Sequence, residues 1–276
     1  MSRPDGGTVA AVRATSTGCY LYAVIGGDGT GVAGLPGIEP GGPVDVVTAG
    51  GIGAVISAVD TDAMRQGGAS ADIDEDGWLV RAARSHEQVV LAAFHSAPTV
   101  PMRFGIVHAD RAAVERLLAT YGAELRGELA RLGGAAEWNV KAYIDRSVVA
   151  ARFGADNDAD GERPAVESGR GYLLRERARR DADARVREAI AAHAADLASQ
   201  LSAVAVDLTA IPLGGEESRR PVLGAVCLVE RADDARLTGV VERFAASASD
   251  DGLTVELTGP WPPYHFTSLR LGPSDE

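Results

Sequence analysis

The second half of this chain changes its hydrophobic period in an order that leaves few folds open. Residues 137–149 read as an extended run. Residues 168–201 then carry Leu173, Leu174, Val186, Ile190, Leu197 and Leu201 as the apolar positions of a long helix. Residues 204–208 turn extended again, and 222–230, VLGAVCLVE, form a second strand pattern. A helix follows over 233–248, with Leu237, Val240, Val241 and Phe244 on one side, and 253–257 alternates as a last strand. The order is β-α-β-β-α-β, the ferredoxin-like arrangement. Helices laid on one face of an antiparallel sheet bury the apolar surfaces of both.

The first half is a modified α+β relative of the same plan. Residues 1–18 read as a flexible leader, and CYLYAVI, 19–25, as a buried strand. A glycine and proline loop spans 26–43, and runs at 44–48 and 52–59 flank Ala49-Gly50-Gly51 as a hairpin. A polar, acidic stretch fills 60–83. Ser85 and Gln88 have capping-box spacing, which predicts a helix start there, with Val89, Val90, Ala93 and Phe94 buried. Asp110 is a good N-cap for a helix over 110–131 whose stripe is Val114, Leu117, Leu118, Tyr121, Leu125 and Leu129. Gly133-Gly134 ends that helix. The expected division is an N-terminal α+β domain over 19–133 and a C-terminal ferredoxin-like domain over 134–270, with an acidic loop at 154–165.

Charge narrows the partners. The 276 residues carry a formal net charge of -12, which disfavours general nucleic-acid binding and docking on an anionic membrane. No window approaches about 18 uninterrupted apolar residues. Neither an apolar signal core nor a CxxC pair occurs, and Cys19 and Cys227 sit in separate apolar runs as expected buried free thiols. The expected compartment is the cytoplasm.

Motifs that imitate chemistry fail on their surroundings. Residues 29–34 match G-x-G-x-x-G, but the prolines and glycines over 36–43 forbid the helix that a dinucleotide site needs. Asp72, Asp74, Asp76 and Gly77 begin a calcium-loop pattern that ends on Ala83. Asp156, Asp158, Asp160, Gly161 and Glu167 fit that spacing better, though Arg163 and Pro164 break its detail and no partner hand exists. Ser85, His86 and Glu87 are adjacent, so they cannot converge on one substrate. No catalytic residue, cofactor or metal is assigned.

Two segments read instead as docking surfaces. In PMRFG, 101–105, Arg103 lies between Met102 and Phe104, and its charge must either pair with Glu87 or Glu137 or reach solvent as an interface anchor. In GPWPPYHF, 259–266, Pro262 and Pro263 stiffen a turn that carries Trp261, Tyr264 and Phe266. Candidate partner-binding residues are Arg103, Phe104, Leu117, Tyr121, Trp261, Tyr264 and Phe266.

Taken together, the segments resemble the gas vesicle protein F/L family. The residues that carry the resemblance are Tyr20-Leu21-Tyr22-Ala23-Val24, His86-Glu87, and Pro101-Met102-Arg103-Phe104-Gly105. They continue with Glu137, Val140 and Lys141, then Gly169-Arg170-Gly171-Tyr172-Leu173, and end on the 259–266 turn, so the similarity spans about 19–268. The resemblance implies an accessory protein of gas vesicle formation, with no established catalytic residues. It implies two α+β domains with ferredoxin-like features. It also implies association with the small hydrophobic shell protein and other vesicle proteins during nucleation or early assembly, in the cytoplasm and then at the vesicle. The alternative is a ferredoxin-like regulatory module that binds a ligand or calcium.

Overall fold

The structure, a computed structural model, describes residues 17–38, 41–69, 77–153, 169–213 and 220–269. They form two compact units: the first ends at Gly133 and is rejoined from Thr267 onward, and the second is Gly134–Phe266. Both are α+β and resemble the ferredoxin-like fold.

The first unit opens with β1 (Thr17–Gly26), then β2 (Asp45–Ala49) and β3 (Ile52–Asp60). The β2–β3 hairpin turns through Gly50 and Gly51 at φ 57° and 82°, angles that favour glycine. Helices α1 (Thr61–Ala69) and α2 (Trp78–Ser96) follow, then β4 (Thr99–Pro101), β5 (Val107–His108), α3 (Arg111–Thr120) and α4 (Gly122–Leu132). The sheet order is β2-β3-β1-β4, with β5 also on β1, and every pair is antiparallel. This is the ferredoxin-like strand order with one substitution. The β1–β2 crossover is the glycine and proline loop, whose Val32 and Ile38 are fully buried. Both faces of β1 are covered, since each residue from Cys19 to Ile25 is buried. Tyr20 and Tyr22 meet His86 of α2, while Cys19, on the alternate face, lines a cavity with Asp110 and Arg111 at the start of α3.

Local details depart from the sequence expectations for physical reasons. Helix α2 starts at Trp78, well before Ser85, because WLVRAAR continues the helical stripe and buries Ala82. Ser85 and Gln88 therefore lie inside the helix and cap nothing. Asp110 does cap α3, its carboxylate accepting from the Ala113 amide at 2.7 Å. The single helix expected over 110–131 is two, broken where Tyr121 leaves helical geometry at φ -104°, ψ 15°. Buried Glu128 of α4 fastens the returning chain: it accepts from the Ser268 amide at 2.6 Å and hydroxyl at 2.9 Å, and pairs with Arg131. Burial works against ionisation of Glu128, but these donors hold its pKa below the usual value.

The second unit runs β6 (Ala135–Ile144), α5 (Arg146–Phe153), α6 (Gly169–Ser202), β7 (Asp207–Ala210), β8 (Arg220–Glu230), α7 (Asp234–Ala248) and β9 (Leu253–Trp261). Its order is β7-β8-β6-β9, again antiparallel throughout. In the second half of β6, Val140, Ala142 and Ile144 are buried while Asn139, Lys141 and Tyr143 are half-buried, so one face is fully covered there, whereas Ala135–Trp138 and, on β8, Ala225–Val229 are buried on both faces. Helix α7 buries Leu237, Val240, Val241 and Phe244 as its spacing requires.

Three expectations shift here. The run 137–149 stops at Ile144, and Asp145 turns the chain into α5 by accepting from the Ser147 amide at 2.9 Å. Strand β7 begins at Asp207 because the amides of Val204 and Ala205 still close the last helical turn on Leu201 O, at 3.0 and 2.9 Å. Leu173 and Leu174, expected in the core, are 67% and 60% exposed, since burial along α6 begins only at Ala182.

Candidate functional site

The PMRFG segment is a protrusion between two strands on one edge of β1. Strand β4 pairs with Ala23–Ile25 and β5 with Cys19 and Tyr20, so residues 102–106 bulge outward opposite Leu21 and Tyr22. Backbone bonds tie its ends: the Met102 amide donates to Tyr22 O and the Leu21 amide to Ile106 O, both at 2.9 Å. Its apex is held from beneath. The Gly105 amide donates to the Tyr20 hydroxyl at 2.9 Å, and that hydroxyl shares a hydrogen bond with His86 Nδ1 at 3.0 Å. Gly105 has φ 95°, which an L side chain rarely adopts.

The floor of the protrusion is an aromatic cluster. Tyr22 stacks on His86 with ring centroids 5.8 Å apart, and Phe104 meets His86 edge-on at 5.7 Å. Burial pushes the His86 pKa down to about 4, partly opposed by a hydrogen bond with the Met102 backbone. A neutral imidazole fits that environment. The Tyr22 hydroxyl in turn contacts Ser57 Oγ at 2.9 Å and accepts from the Ile38 amide at 2.9 Å, which fastens the crossover loop to the same cluster. Above this floor Arg103 is exposed and Phe104 is 37% exposed. Arg103 makes no ion pair among the described residues of its own unit, so the pairing with Glu87 is not formed. The arrangement presents a cation beside an aromatic ring on a tied backbone and uses its imidazole as a strut.

The proline corner is also pinned, by a charge. Glu137 of β6, only 3% exposed, accepts from the His265 amide at 2.8 Å and contacts His265 Nδ1 at 2.7 Å. Pro262, Pro263 and Phe266 are buried, whereas Trp261 and Tyr264 are half-buried and His265 is exposed. Gly259 sits at φ 144° with its backbone against the Trp138 ring, and Trp138 Nε1 donates to Asp234 at 2.9 Å. Of the other candidates, Leu117 is buried in the core and Tyr121 is half-buried at the α3–α4 break.

Sequence reasoning found both segments but not their anchors. Tyr20, His86 and Glu137 act through partners distant in the chain, and only their polar character inside apolar runs marks them. The thiols of Cys19 and Cys227 are free and buried, and burial pushes them up to about 11 and about 12. Cys19 lines a cavity of about 510 Å³ together with Asp45 and Arg111, which pair at its edge. Asp72, Asp74, Asp76, Asp156, Asp158, Asp160 and Glu167 lie outside the described residues. Among the described residues, no three His, Cys, Asp or Glu side chains converge as a metal site, and no helix is long and apolar enough to cross a membrane.

A sequence model of the gas vesicle synthesis proteins GvpL/GvpF matches residues 18–268. The chain belongs to the GvpL/GvpF family. It is 34% identical over 258 residues to gas vesicle protein L of Streptomyces sp. (strain CB03234), covering 91% of this chain and 92% of the relative. It is 30% identical over 271 residues to gas vesicle protein L1 of Halobacterium salinarum, covering 92% of each. Crystal structures of GvpF from Anabaena sp. PCC7120 and from Microcystis aeruginosa share the fold, with TM-scores of 0.68 and 0.62, at 19% identity. They align with 92% and 91% of this chain and with 100% and 99% of theirs. Gas vesicle assembly is thus the role to which the family assigns the chain. The GvpL/GvpF match takes in the Arg103 protrusion and the proline corner alike.

Proposed function

We propose that this chain is an accessory protein of gas vesicle formation that binds the small hydrophobic shell protein, and other vesicle proteins, during nucleation and early assembly. A shell subunit that is apolar on one face aggregates unless that face is covered. A partner acting before assembly needs a presented apolar contact that does not collapse into its own core. The observation that carries the reading is the Arg103–Phe104 protrusion, held outward by Tyr20, His86 and Gly105. Phe104 offers apolar area and Arg103 a charge for the rim of the contact.

In this reading the half-buried Trp261 and Tyr264 give a second contact surface on the other unit, and Tyr121 a third point. Leu117 and Phe266, being buried, shape these surfaces from below. The net charge of -12 keeps loaded complexes apart in the cytoplasm before delivery to the growing vesicle. The test is capture of purified shell protein by wild type, Arg103→Ala, Phe104→Ala and Trp261→Ala variants of matched circular dichroism. Loss of capture by Phe104→Ala and Arg103→Ala is expected. Undiminished capture by both would overturn the assignment of this surface.

A further inference from the structure

Among the described residues, the first three turns of α6 join no core. None of the described residues from Arg170 to Asp181 is buried, and Tyr172, Leu173 and Leu174 are 61%, 67% and 60% exposed. Helical spacing places Arg170, Leu173, Leu174 and Arg177 on one stripe, because the steps of three, four and seven residues repeat a face. That stripe points away from Ala182, Val186 and Leu197, the buried side of the same helix.

The charge on this face says what covers it. Of the five arginines that residues 170–180 hold against one glutamate, Arg170 and Arg177 lie on this stripe, within a chain of net charge -12. Glu176 is already engaged by Arg179 and Arg180, while Arg170 and Arg177 form no ion pair among the described residues. A symmetric second copy would set arginines against arginines, which opposes self-pairing. We propose that the Arg170–Leu173–Leu174–Arg177 face of α6 docks an acidic amphipathic helix of another protein. The partner's apolar stripe lies on the leucines, and its flanking carboxylates meet the arginines. The docking surface is separate from the Arg103–Phe104 contact and does not depend on it.

A labelled helical peptide of about 18 residues, long enough to hold some helix in water, tests this. It carries leucines at helical spacing flanked by glutamates, and its counterpart carries lysines instead. Fluorescence anisotropy with the full chain reads binding. The glutamate peptide is expected to bind, and to weaken as salt rises from about 50 mM to about 300 mM. Leu173→Ser with Leu174→Ser, and separately Arg170→Glu with Arg177→Glu, should each weaken it about tenfold or more. Equal binding of the lysine peptide, or unchanged binding by both double variants, would overturn the proposal. So would a dimer in sedimentation equilibrium that the leucine substitutions abolish, which would assign the face to a second copy. All four side chains are exposed, so the variants should keep wild-type helicity. Shell-protein capture by the same variants should be unchanged, which separates this result from that of the Arg103 test.

Discussion

The two units share a strand order and differ in how they cover it. In the first, the crossover from β1 to β2 is a glycine and proline loop, and β1 is buried on both faces. In the second, helices α5 and α6 lie in the corresponding crossover, and β6, buried throughout its first four residues, alternates between buried and half-buried residues from Asn139 to Ile144. The hydrogen-bond ladder sets strand order, but what lies over a sheet is set by whatever segment can reach it with apolar side chains. Val32 and Ile38 let a loop do in one unit what a helix does in the other. The pins differ too. The first unit holds its protrusion with a neutral tyrosine–histidine pair, and the second holds its corner with a buried carboxylate.

The largest effect is expected at the corner. A Cβ on Gly259 would lie 2.8 Å from the Trp138 ring and 2.9 Å from Glu137 O, at φ 144°. Gly259→Ala should destabilise the second unit by about 2–6 kcal/mol, from backbone strain and overpacking together. Denaturant unfolding followed by tryptophan fluorescence in a Trp78→Phe background, which leaves Trp138 and Trp261 of the second unit as reporters, reads this. A loss under about 1 kcal/mol would mean that the corner is loosely held and that the contrast between the pins is false.

The loop-for-helix comparison is broken or sharpened by a matched pair. Ile38 in the loop and Leu237 in α7 are both fully buried. Each substitution to alanine should cost about 2–5 kcal/mol in its own unit. An Ile38→Ala cost well below that of Leu237→Ala would show that the loop only drapes over the sheet.

Acid separates the pins further. His86 has its pKa lowered by burial from 6.5 to about 4, so the unfolded chain takes up a proton that the folded one refuses. Stability of the first unit should therefore fall as pH drops from 6.5 towards 4, by about 3 kcal/mol in all. Burial lowers the pKa of His108 as well, with the same sign, so the His86 share is the difference between wild type and His86→Gln. Denaturation midpoints of both proteins at neutral pH and near pH 5 measure it. Parallel pH dependence in the two would remove His86 from the account.

Much of this architecture was legible beforehand, and the parts that were not share a cause. Hydrophobic period revealed the β-α-β-β-α-β order apart from α5, which stands where a strand extension was expected, together with the β2–β3 hairpin and the Asp110 cap, because each depends on residues close in sequence. The break at Tyr121 and the early start of α2 at Trp78 turn on small balances between continuing and ending a helix, which tertiary contacts decide. Leu173 and Leu174 misled because they are leucines in a helix whose first turns never reach the core. The protrusion and the corner stood out by composition. What makes them rigid came from Tyr20 and His86, 66 positions apart, and from Glu137 and His265, 128 apart, pairings that no local spacing encodes.

The smallest effect isolates one oxygen. Tyr20→Phe keeps the ring against Tyr22 and Phe104 and removes the hydroxyl that joins Gly105 to His86. The Gly105 amide and His86 Nδ1 then lose that partner, and the cost should be about 1–3 kcal/mol. The apolar floor survives, so the unit should still fold. The informative readout is local: hydrogen exchange at Gly105 should quicken by more than the global loss of stability explains, because the apex is released while β1 is kept. Shell-protein capture should weaken with it if a rigid Phe104 is what the partner meets. Exchange at Gly105 that merely follows global unfolding would show that the strands on either side hold the protrusion by themselves, and that the tyrosine–histidine pair serves the core rather than the surface.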